Sequence, residues 1–115
     1  MKSDLAAAIN DAAHLTGSFL LRSGATASEY FDKYRFEARP DLLAQVAAEL
    51  APLVPDDTEV LAGLELGGVP IATALSLHTG IPAAFVRKRV KEYGTQRLVE
   101  GAEVSGRRVL IVETW

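Results

Sequence analysis

The amino-acid sequence predicts an α/β protein built on a parallel sheet, and three observations support this fold class. Short apolar runs recur at residues 59–64, 82–87 and 107–113, as is typical of strands buried on both faces. A helical pattern lies between the first two runs, and glycine or proline residues mark the boundaries. Strands that alternate with helices favour a parallel sheet. The chain has 115 residues, 49% of them hydrophobic, which suits one domain.

The first predicted element is a helix over residues 3–15. Ser3 is a suitable N-cap, and Leu5 and Ile9 recur at the spacing of one helix face. Thr16 and Gly17 end the pattern, because glycine is favoured just beyond helix C-termini. Cap and periodicity together predict a single helix before the first polar segment.

A polar and aromatic stretch follows, from residue 18 to residue 39. Residues 19–21 and 34–37 are predicted as two short strands, because both carry aromatic or apolar side chains beside polar ones. Arg22, Ser23 and Gly24 form the turn that comes after the first of them. This stretch is therefore predicted to be rich in loops.

Two further helices are predicted from proline and glycine positions. The second helix begins at Pro40, since proline suits the first helical position, and runs to about residue 51, where Pro52 follows. The third begins at Pro70, continues through His78 and ends at Gly80. It follows the first apolar strand, so strand, helix and strand succeed one another in the chain.

The charges are distributed unevenly. Residues 87–97 hold five basic residues and one acidic residue, whereas the rest of the chain holds seven basic and fourteen acidic residues. A nucleic-acid binder normally has a broad basic surface, so this pattern favours a protein that binds one compact anion. No apolar run approaches the length of a membrane span, and we expect neither a membrane nor a nucleic-acid partner.

The chain contains no cysteine and only two histidines. Disulfides, thiolate metal ligands and cysteine nucleophiles are therefore excluded within it, and a metal cage built from histidines is not expected. Residues 1–4 do not resemble a secretion signal, since acidic residues interrupt the place of its apolar stretch. These features agree with a reducing, cytoplasmic environment.

A glycine-rich turn at residues 63–70 is the first candidate site. The predicted strand enters this turn, and a helix begins at its end, so backbone N–H groups could hold a phosphate there. The turn matches neither the P-loop nor the dinucleotide-binding pattern. A tight connection between strand and helix without a ligand explains it about equally well.

The basic segment is the second candidate site. Arg87 and Lys88 follow a predicted strand directly, and Lys91 lies one turn further along the chain. Arginine could bind a phosphate through two hydrogen bonds and lysine through its charge, while Gly94 and Thr95 suggest a mobile tip. The alternative is a solvated surface loop, which is the usual role of a charged segment.

The third candidate combines residues 22–24 with residues 28–33. Basic, aromatic and hydroxyl side chains suit a flat, anionic ligand that forms hydrogen bonds. The alternative is a set of core aromatics with charges on the surface. Glu113 is a further candidate, because ligands of open α/β sheets bind beyond the carboxyl ends of the strands.

Taken together, the segments resemble the orotate phosphoribosyltransferase family. The matching stretches are GSFLLRSG at 17–24, YFDK at 30–33, GLELGGVP at 63–70, FVRKRVKEYGT at 85–95, EG at 100–101 and GRRVLIVE at 106–113. They cover nearly the whole chain. The most specific is the R-K-x-x-K-x-[HY]-G-T run.

The resemblance implies the type I phosphoribosyltransferase fold, a parallel sheet flanked by helices. It implies that about residues 1–39 form an N-terminal helix and hood and that about residues 40–115 form the α/β core. It further implies a Mg²⁺-dependent transfer of a phosphoribosyl group from phosphoribosyl pyrophosphate to orotate. The products, orotidine monophosphate and pyrophosphate, place this reaction in pyrimidine biosynthesis. A homodimer is also implied, in which residues 87–96 close over the partner's active site.

The same resemblance implies roles for individual residues. Arg87 and Lys91 would be catalytic, because they could stabilise the negative charge of the departing pyrophosphate. Phosphoribosyl pyrophosphate would be bound by Arg87, Lys88, Lys91, Tyr93, Glu65, Leu66, Gly67, Gly68 and Glu113. The orotate pocket would contain Arg22, Tyr30, Phe31 and Lys33. Many relatives carry histidine at the position of Tyr93. No side chain of this chain is implied as a metal ligand.

The chain departs from the family pattern at its end. Glu113 matches the first of two acidic residues, Thr114 stands where the second is expected, and the loop that holds the ribose 5-phosphate would follow. We therefore expect a C-terminally incomplete domain, inactive and poorly stable as residues 1–115 alone. The alternatives are a non-catalytic ligand-binding regulator on the same fold, an inactive fragment, and a purine phosphoribosyltransferase, against which the segments at 22–24 and 91–95 argue.

Overall fold

Residues 3–114 are described by a computed structural model. In this part of the chain, two antiparallel strands precede a four-stranded sheet, and helices lie between the strands. The elements are α1 (Ser3–Ala13), β1 (His14–Leu20), β2 (Thr26–Phe31), α2 (Lys33–Glu37), α3 (Pro40–Leu50), a 3₁₀ turn (Ala51–Leu53), β3 (Val60–Leu64), α4 (Gly68–Thr79), β4 (Ala83–Val86), β5 (Val99–Gly101) and β6 (Val109–Val112).

The N-terminal hairpin is longer than the sequence predicted. β1 begins directly after α1 and pairs antiparallel with β2, from His14 opposite Phe31 to Leu20 opposite Thr26. The predicted helix over 3–15 therefore ends two residues early, and Gly17 lies inside a strand instead of at a helix end. The pairing shifts register beside Gly17, whose φ of 152° marks the irregularity.

The strand predicted at residues 34–37 is wrong, because these residues form α2. Asp32 caps the helix, and its carboxylate accepts a hydrogen bond of 3.1 Å from the backbone N–H of Tyr34. Phe36 and Glu37 are buried as the helix packs against its neighbours. The local cap thus decides the conformation, whereas the alternating side chains had suggested a strand.

The predicted parallel α/β sheet is confirmed. Its strand order is β5-β4-β3-β6, and β3 pairs in parallel with β4 on one side and with β6 on the other. The short strand β5, which the sequence did not predict, adds an antiparallel edge beside β4. Because β3, β4 and β6 run in the same direction, their carboxyl ends meet at one edge of the sheet.

The core of the sheet domain packs between β3, α3 and α4. Leu61 of β3 is 0% exposed and packs with Ile71, Ala72 and Leu75 of α4. The predicted second and third helices are both present, and Gly80 ends α4 with a φ of 80°. A separate cluster joins α1, α2 and α3. Across residues 3–114, none of the helices is long and apolar enough to cross a bilayer.

Candidate active site

A cleft of about 470 Å³ lies beyond the carboxyl ends of β3, β4 and β6. We call it the strand-end cleft. Its lining combines residues that follow the three strands with residues of the N-terminal segment. They are Arg22, Lys33, Tyr34, Leu64, Glu65, Leu66, Gly67, Lys88, Glu113 and Thr114. The cleft therefore occupies the place where open α/β sheets bind their ligands.

The glycine-rich turn brings the start of α4 to the cleft. A Cβ atom on Gly63 would lie 2.6 Å from the carbonyl oxygen of Gly68, so glycine alone allows β3 and α4 to approach this closely. Gly67 caps α4 and lines the cleft. The first N–H groups of a helix have no partner within the helix, and its dipole attracts anions there. The peptide bond between Glu65 and Leu66 is cis.

Lys33 connects the N-terminal segment to the edge of the sheet. Its Nζ donates a hydrogen bond of 3.3 Å to the backbone carbonyl of Thr114 and lies 5.4 Å from the centre of the Tyr34 ring. The Cε of Lys33 would be 2.7 Å from a Cβ on Gly67, so the lysine covers the start of α4 directly. These contacts place one cation between the turn and the aromatic face of Tyr34.

Two carboxylates line the same cleft. Glu65 extends from the turn after β3, and its Oε1 accepts a hydrogen bond of 2.9 Å from the backbone N–H of Lys88. Glu113 follows β6 directly and is exposed. The lining of the cleft thus combines these acidic residues with the basic residues Arg22, Lys33 and Lys88.

Two cations of the basic loop, residues 87–97, pair with Glu100 and do not line the strand-end cleft itself, although Arg87 lines an adjoining depression that shares Glu65 and Glu113 with it. Glu100 of β5 accepts a hydrogen bond of 3.0 Å from Nε of Arg87, and Nζ of Lys91 lies 2.8 Å from the same carboxylate oxygen. The hydrogen bonds from Lys91 and Arg87 hold the pKa of Glu100 below its usual value, and the bond to Glu100 raises the pKa of Arg87. Nζ of Lys91 also lies 5.6 Å from the centre of the Tyr93 ring.

A buried acidic residue, Glu37, ends α2. Glu37 is 6% exposed, and neither of its carboxylate oxygens has a hydrogen-bond partner within the described part of the chain. Burial raises the pKa of Glu37 to about 7, although the positive charge of Lys33 acts in the opposite direction. The raised pKa brings the titration of this carboxyl group toward neutral pH.

The structure brings together about half of the residues that the sequence singled out. Those that line the strand-end cleft are Arg22, Lys33, Glu65, Leu66, Gly67, Lys88 and Glu113. The others lie outside its lining and are Tyr30, Phe31, Gly68, Arg87, Lys91 and Tyr93. Tyr30 instead stacks on Phe19 of β1, and Phe31 contacts Phe36 of α2.

Sequence reasoning missed two contributors to the region. Tyr34 lines the cleft, but the predicted strand at 34–37 concealed it, because a strand would have given its side chain a different direction. Glu100 was noted only as part of a family match, although it pairs with two cations of the basic loop. Its spacing of thirteen residues from Arg87 corresponds to no helix or hairpin rule, so no local signal indicated this ion pair.

The described residues contain no group of three or more histidine, cysteine, aspartate or glutamate side chains that could hold a metal ion. Glu65 and Glu113 nevertheless bring two carboxylates to the cleft. Carboxylate oxygens are ligands that Mg²⁺ accepts, and this ion commonly combines one or two of them with phosphate oxygens of a substrate. The donor set therefore fits a divalent cation that shares its ligands with a bound phosphate.

Comparisons with known proteins agree with the fold. The chain is 58% identical over 113 residues to an orotate phosphoribosyltransferase of a Nocardioides species, and the match covers 98% of this chain and 63% of the relative. Two crystal structures of Mycobacterium tuberculosis orotate phosphoribosyltransferase also match. The complex with Fe(III) dicitrate has a TM-score of 0.80 at 38% identity, covering 94% of this chain and 63% of that one. The complex with 5-phospho-α-D-ribosyl 1-diphosphate has a TM-score of 0.74 at 32% identity, covering 94% and 60%. No protein-family model matches the chain.

The parallel sheet, its strand-end cleft and these structural matches define a chain with the type I phosphoribosyltransferase fold. Within this class, the chain is a homologue of the orotate phosphoribosyltransferases, as the resemblance of its motifs predicted. It spans less than two thirds of the length of the curated relatives that it matches.

Proposed function

We propose that the protein carrying this chain transfers a phosphoribosyl group from phosphoribosyl pyrophosphate to orotate, with release of pyrophosphate. The observation that supports this most strongly is the strand-end cleft, where basic side chains and the start of α4 face two carboxylates. The match to a structure that holds 5-phospho-α-D-ribosyl 1-diphosphate supports the same substrate for this chain. The alternative is a non-catalytic, ligand-binding regulator on the same fold, and the experiment below distinguishes this regulator from the enzyme.

In this proposal the pyrophosphate group binds where the glycine-rich turn meets β4. Lys88 supplies a positive charge, and the start of α4 supplies backbone N–H groups around Gly67. Glu65 fixes the position of Lys88 by accepting its backbone N–H at 2.9 Å. Cleavage of the bond between ribose and pyrophosphate builds negative charge on the leaving group, so preorganised donors here would lower the barrier.

The orotate ring is proposed to bind beside the N-terminal segment. Arg22 and Lys33 line the cleft and suit the carboxylate and carbonyl oxygens of an anionic base. Tyr34 offers an aromatic surface next to Lys33. We therefore assign the pocket to these three residues, while Tyr30 and Phe31, which the family resemblance also implied, pack within the hairpin and against α2.

A divalent cation, Mg²⁺ in our proposal, would be held by Glu113, Glu65 and the oxygens of the substrate. When bound, it would neutralise charge on the pyrophosphate group as that group departs. Lys88 would add to this neutralisation from the protein side. Since the nucleophile is already an anionic ring nitrogen, no side chain is required as a general base. A cytoplasmic location stays a prediction.

A homodimer is also proposed, with the basic loop shared between subunits. Lys91 lies outside the strand-end cleft of its own chain, Arg87 lines only the depression that adjoins it, and both pair with Glu100. An arrangement in which a loop serves the partner's cleft is compatible with this placement. In that arrangement these two cations would stabilise the departing pyrophosphate of the other subunit.

The test combines binding and turnover in the native protein. Isothermal titration calorimetry with inorganic pyrophosphate and Mg²⁺ should show binding, and Lys88→Ala should weaken it about tenfold by removing a charge-assisted contact. Arg107→Ala is the matched control, because Arg107 is an exposed cation close before β6, at the opposite edge of the sheet. Its removal should leave the affinity unchanged.

Turnover is measured as orotate-dependent release of pyrophosphate from phosphoribosyl pyrophosphate. Activity that Lys88→Ala and Lys33→Ala both reduce, while Arg107→Ala does not, would support the proposed enzyme. Binding of pyrophosphate without any turnover would support the regulator instead. Equal effects of Lys88→Ala and Arg107→Ala would contradict the assignment of the cleft.

A further inference from the structure

Glu100 occupies an unusual position beside the basic loop. One oxygen of its carboxylate, Oε2, lies 3.0 Å from Nε of Arg87 and 2.8 Å from Nζ of Lys91. A single carboxylate therefore pairs with two cations that lie four positions apart in the loop, and the three side chains together keep one positive charge. Glu100 itself is on β5, the edge strand that pairs with β4.

The cluster is partly shielded from water. The side chain of Lys91 is 15% exposed and that of Glu100 is 25% exposed. Ion pairs at such positions are screened less than pairs on the open surface. The hydrogen bonds from the two cations also hold the pKa of Glu100 low, so the carboxylate is charged at neutral pH.

Backbone contacts hold the loop in the same arrangement. The N–H of Arg87 donates to the carbonyl of Leu98 at 2.9 Å, and the N–H of Lys91 donates to the carbonyl of Arg97 at 3.3 Å. The loop is thereby folded back onto the segment that leads into β5. Both cations pair with Glu100; Lys91 lines no part of the strand-end cleft, and Arg87 lines only the depression that adjoins it beside Glu65 and Glu113.

We propose that Glu100 is an intramolecular substitute for the pyrophosphate group, which must displace it before the basic loop can bind substrate. This inference rests on the proposed function, which assigns Arg87 and Lys91 to the pyrophosphate. In the absence of ligand, the carboxylate satisfies both cations and keeps the loop folded against β5. When ligand binds, phosphate oxygens replace the carboxylate oxygen and the loop is released. Glu100 is thus a positioning residue that sets the affinity of the loop for its substrate.

If Glu100 and pyrophosphate compete for Arg87 and Lys91, removing the charge of Glu100 should strengthen the binding of pyrophosphate. Glu100→Gln keeps the size of the side chain and removes its charge. In the native protein with Mg²⁺, we expect the Kd for inorganic pyrophosphate to fall about three- to tenfold, as expected for the loss of two partly exposed ion pairs. Glu100→Asp keeps the charge and should remain within about twofold of the unmodified protein.

Glu103→Gln is the matched control. Glu103 lies three residues further along and pairs with Arg97, another cation of the basic loop, so this variant makes the same change in net charge. It should leave the Kd for pyrophosphate within about twofold. An equal gain from Glu103→Gln would mean that net charge alone is responsible and would overturn the proposal.

Hydrogen exchange without ligand provides a readout that does not depend on the proposed function. In Glu100→Gln, the amides of Arg87 and Lys91 should exchange faster, because the side chains no longer hold the loop, while the amides of β3 stay unchanged. Weaker or unchanged pyrophosphate binding in Glu100→Gln would overturn the competition. If the unmodified protein binds no pyrophosphate, the proposed function fails and the competition falls with it. Unchanged exchange would separately refute the role of Glu100 in holding the loop.

Discussion

Glu37 shows how a single buried side chain connects stability to pH. Burial raises the pKa of Glu37 from 4.5 to about 7. The carboxyl group of Glu37 therefore binds a proton more tightly in the folded protein than in the unfolded chain. The free energy of unfolding should therefore fall as the pH rises from about 4.5 to about 7, and this contribution should be constant above that range. A shift of this size corresponds to at most about 3 kcal/mol.

Glu37→Gln should remove this pH dependence, since the amide carries no charge at any pH. We expect the variant to gain stability relative to the unmodified protein at pH 8, and to gain much less at pH 5. Urea denaturation at both values measures the difference. Glu92→Gln, on the exposed basic loop, is the control and should show no such trend. A constant difference for Glu37→Gln across this range would contradict the raised pKa.

Gly67 is restricted by the residues that cover it. A Cβ there would lie 2.7 Å from Cε of Lys33 and would also overlap the hydroxyl of Thr114, which is buried and has no hydrogen-bond partner among residues 3–114. Gly67→Ala should lower the free energy of unfolding by about 1–3 kcal/mol through this overlap. Thermal or urea unfolding measures the loss.

A double-mutant cycle tests the cause of that loss. Lys33→Ala removes the overlapping Cε, so the double variant Gly67→Ala/Lys33→Ala should lose less stability than the sum of the single variants. Strictly additive losses would show that Lys33 does not restrict this position and that Thr114 or the backbone does.

At the scale of single residues, the sequence predicts which side chains can bind an anion more reliably than it predicts where those side chains lie. Arg22, Lys33 and Lys88 were selected as cations for an anionic ligand, and all three line the strand-end cleft. Arg87 and Lys91 were selected for the same reason but pair with Glu100. The sequence gives the charges that are present, whereas their pairing depends on how β5, which carries Glu100 thirteen positions beyond Arg87, folds back beside β4. Partners of this kind therefore could not be predicted.

Among the elements, β3 contributes most to the core. Leu61 is 0% exposed and contacts the buried face of α4. Leu61→Ala should cost about 3–4 kcal/mol, because the packed surroundings cannot close the cavity. Leu77→Ala is the matched control: Leu77 belongs to α4 but is 84% exposed, and its loss should cost less than about 0.5 kcal/mol. Comparable losses for both variants in urea denaturation would contradict this assignment of the core.

The elements that sequence reasoning predicted correctly are those with strong local signals. α3 carries helical periodicity and begins at a proline, whereas α4 is apolar around most of its circumference and is marked by Pro70 near its start and by a glycine in the left-handed region at its end. The sequence predicts a strand where α2 lies, because its five residues alternate in polarity. The start of the helix is marked by the hydrogen bond that the backbone N–H of Tyr34 donates to the carboxylate of Asp32. β5 has three residues and no pattern of its own, since it is defined by pairing with β4.

The protection of backbone amides from hydrogen exchange should vary across the molecule. β3 lies between β4 and β6 and is almost completely buried, so its amides need the largest opening to exchange. We expect the slowest hydrogen exchange in β3 and α4, and faster exchange in the largely exposed hairpin of β1 and β2. Mass-resolved exchange of the native protein measures this order. Equal protection of the hairpin and β3 would show that the molecule opens only as one unit.

The position of β3 in the sheet also affects folding during translation. Its partner on one side, β6, is the last strand of the described chain and pairs Val60 with Val109, forty-nine residues later. During translation, β3, α4 and β4 therefore emerge from the ribosome well before β6 can complete the sheet. During that interval an apolar strand has an open edge, which invites pairing with other nascent chains. Folding during translation should depend on chaperones until residues 109–112 have emerged, and the contact of Lys33 with Thr114 can form only after that point.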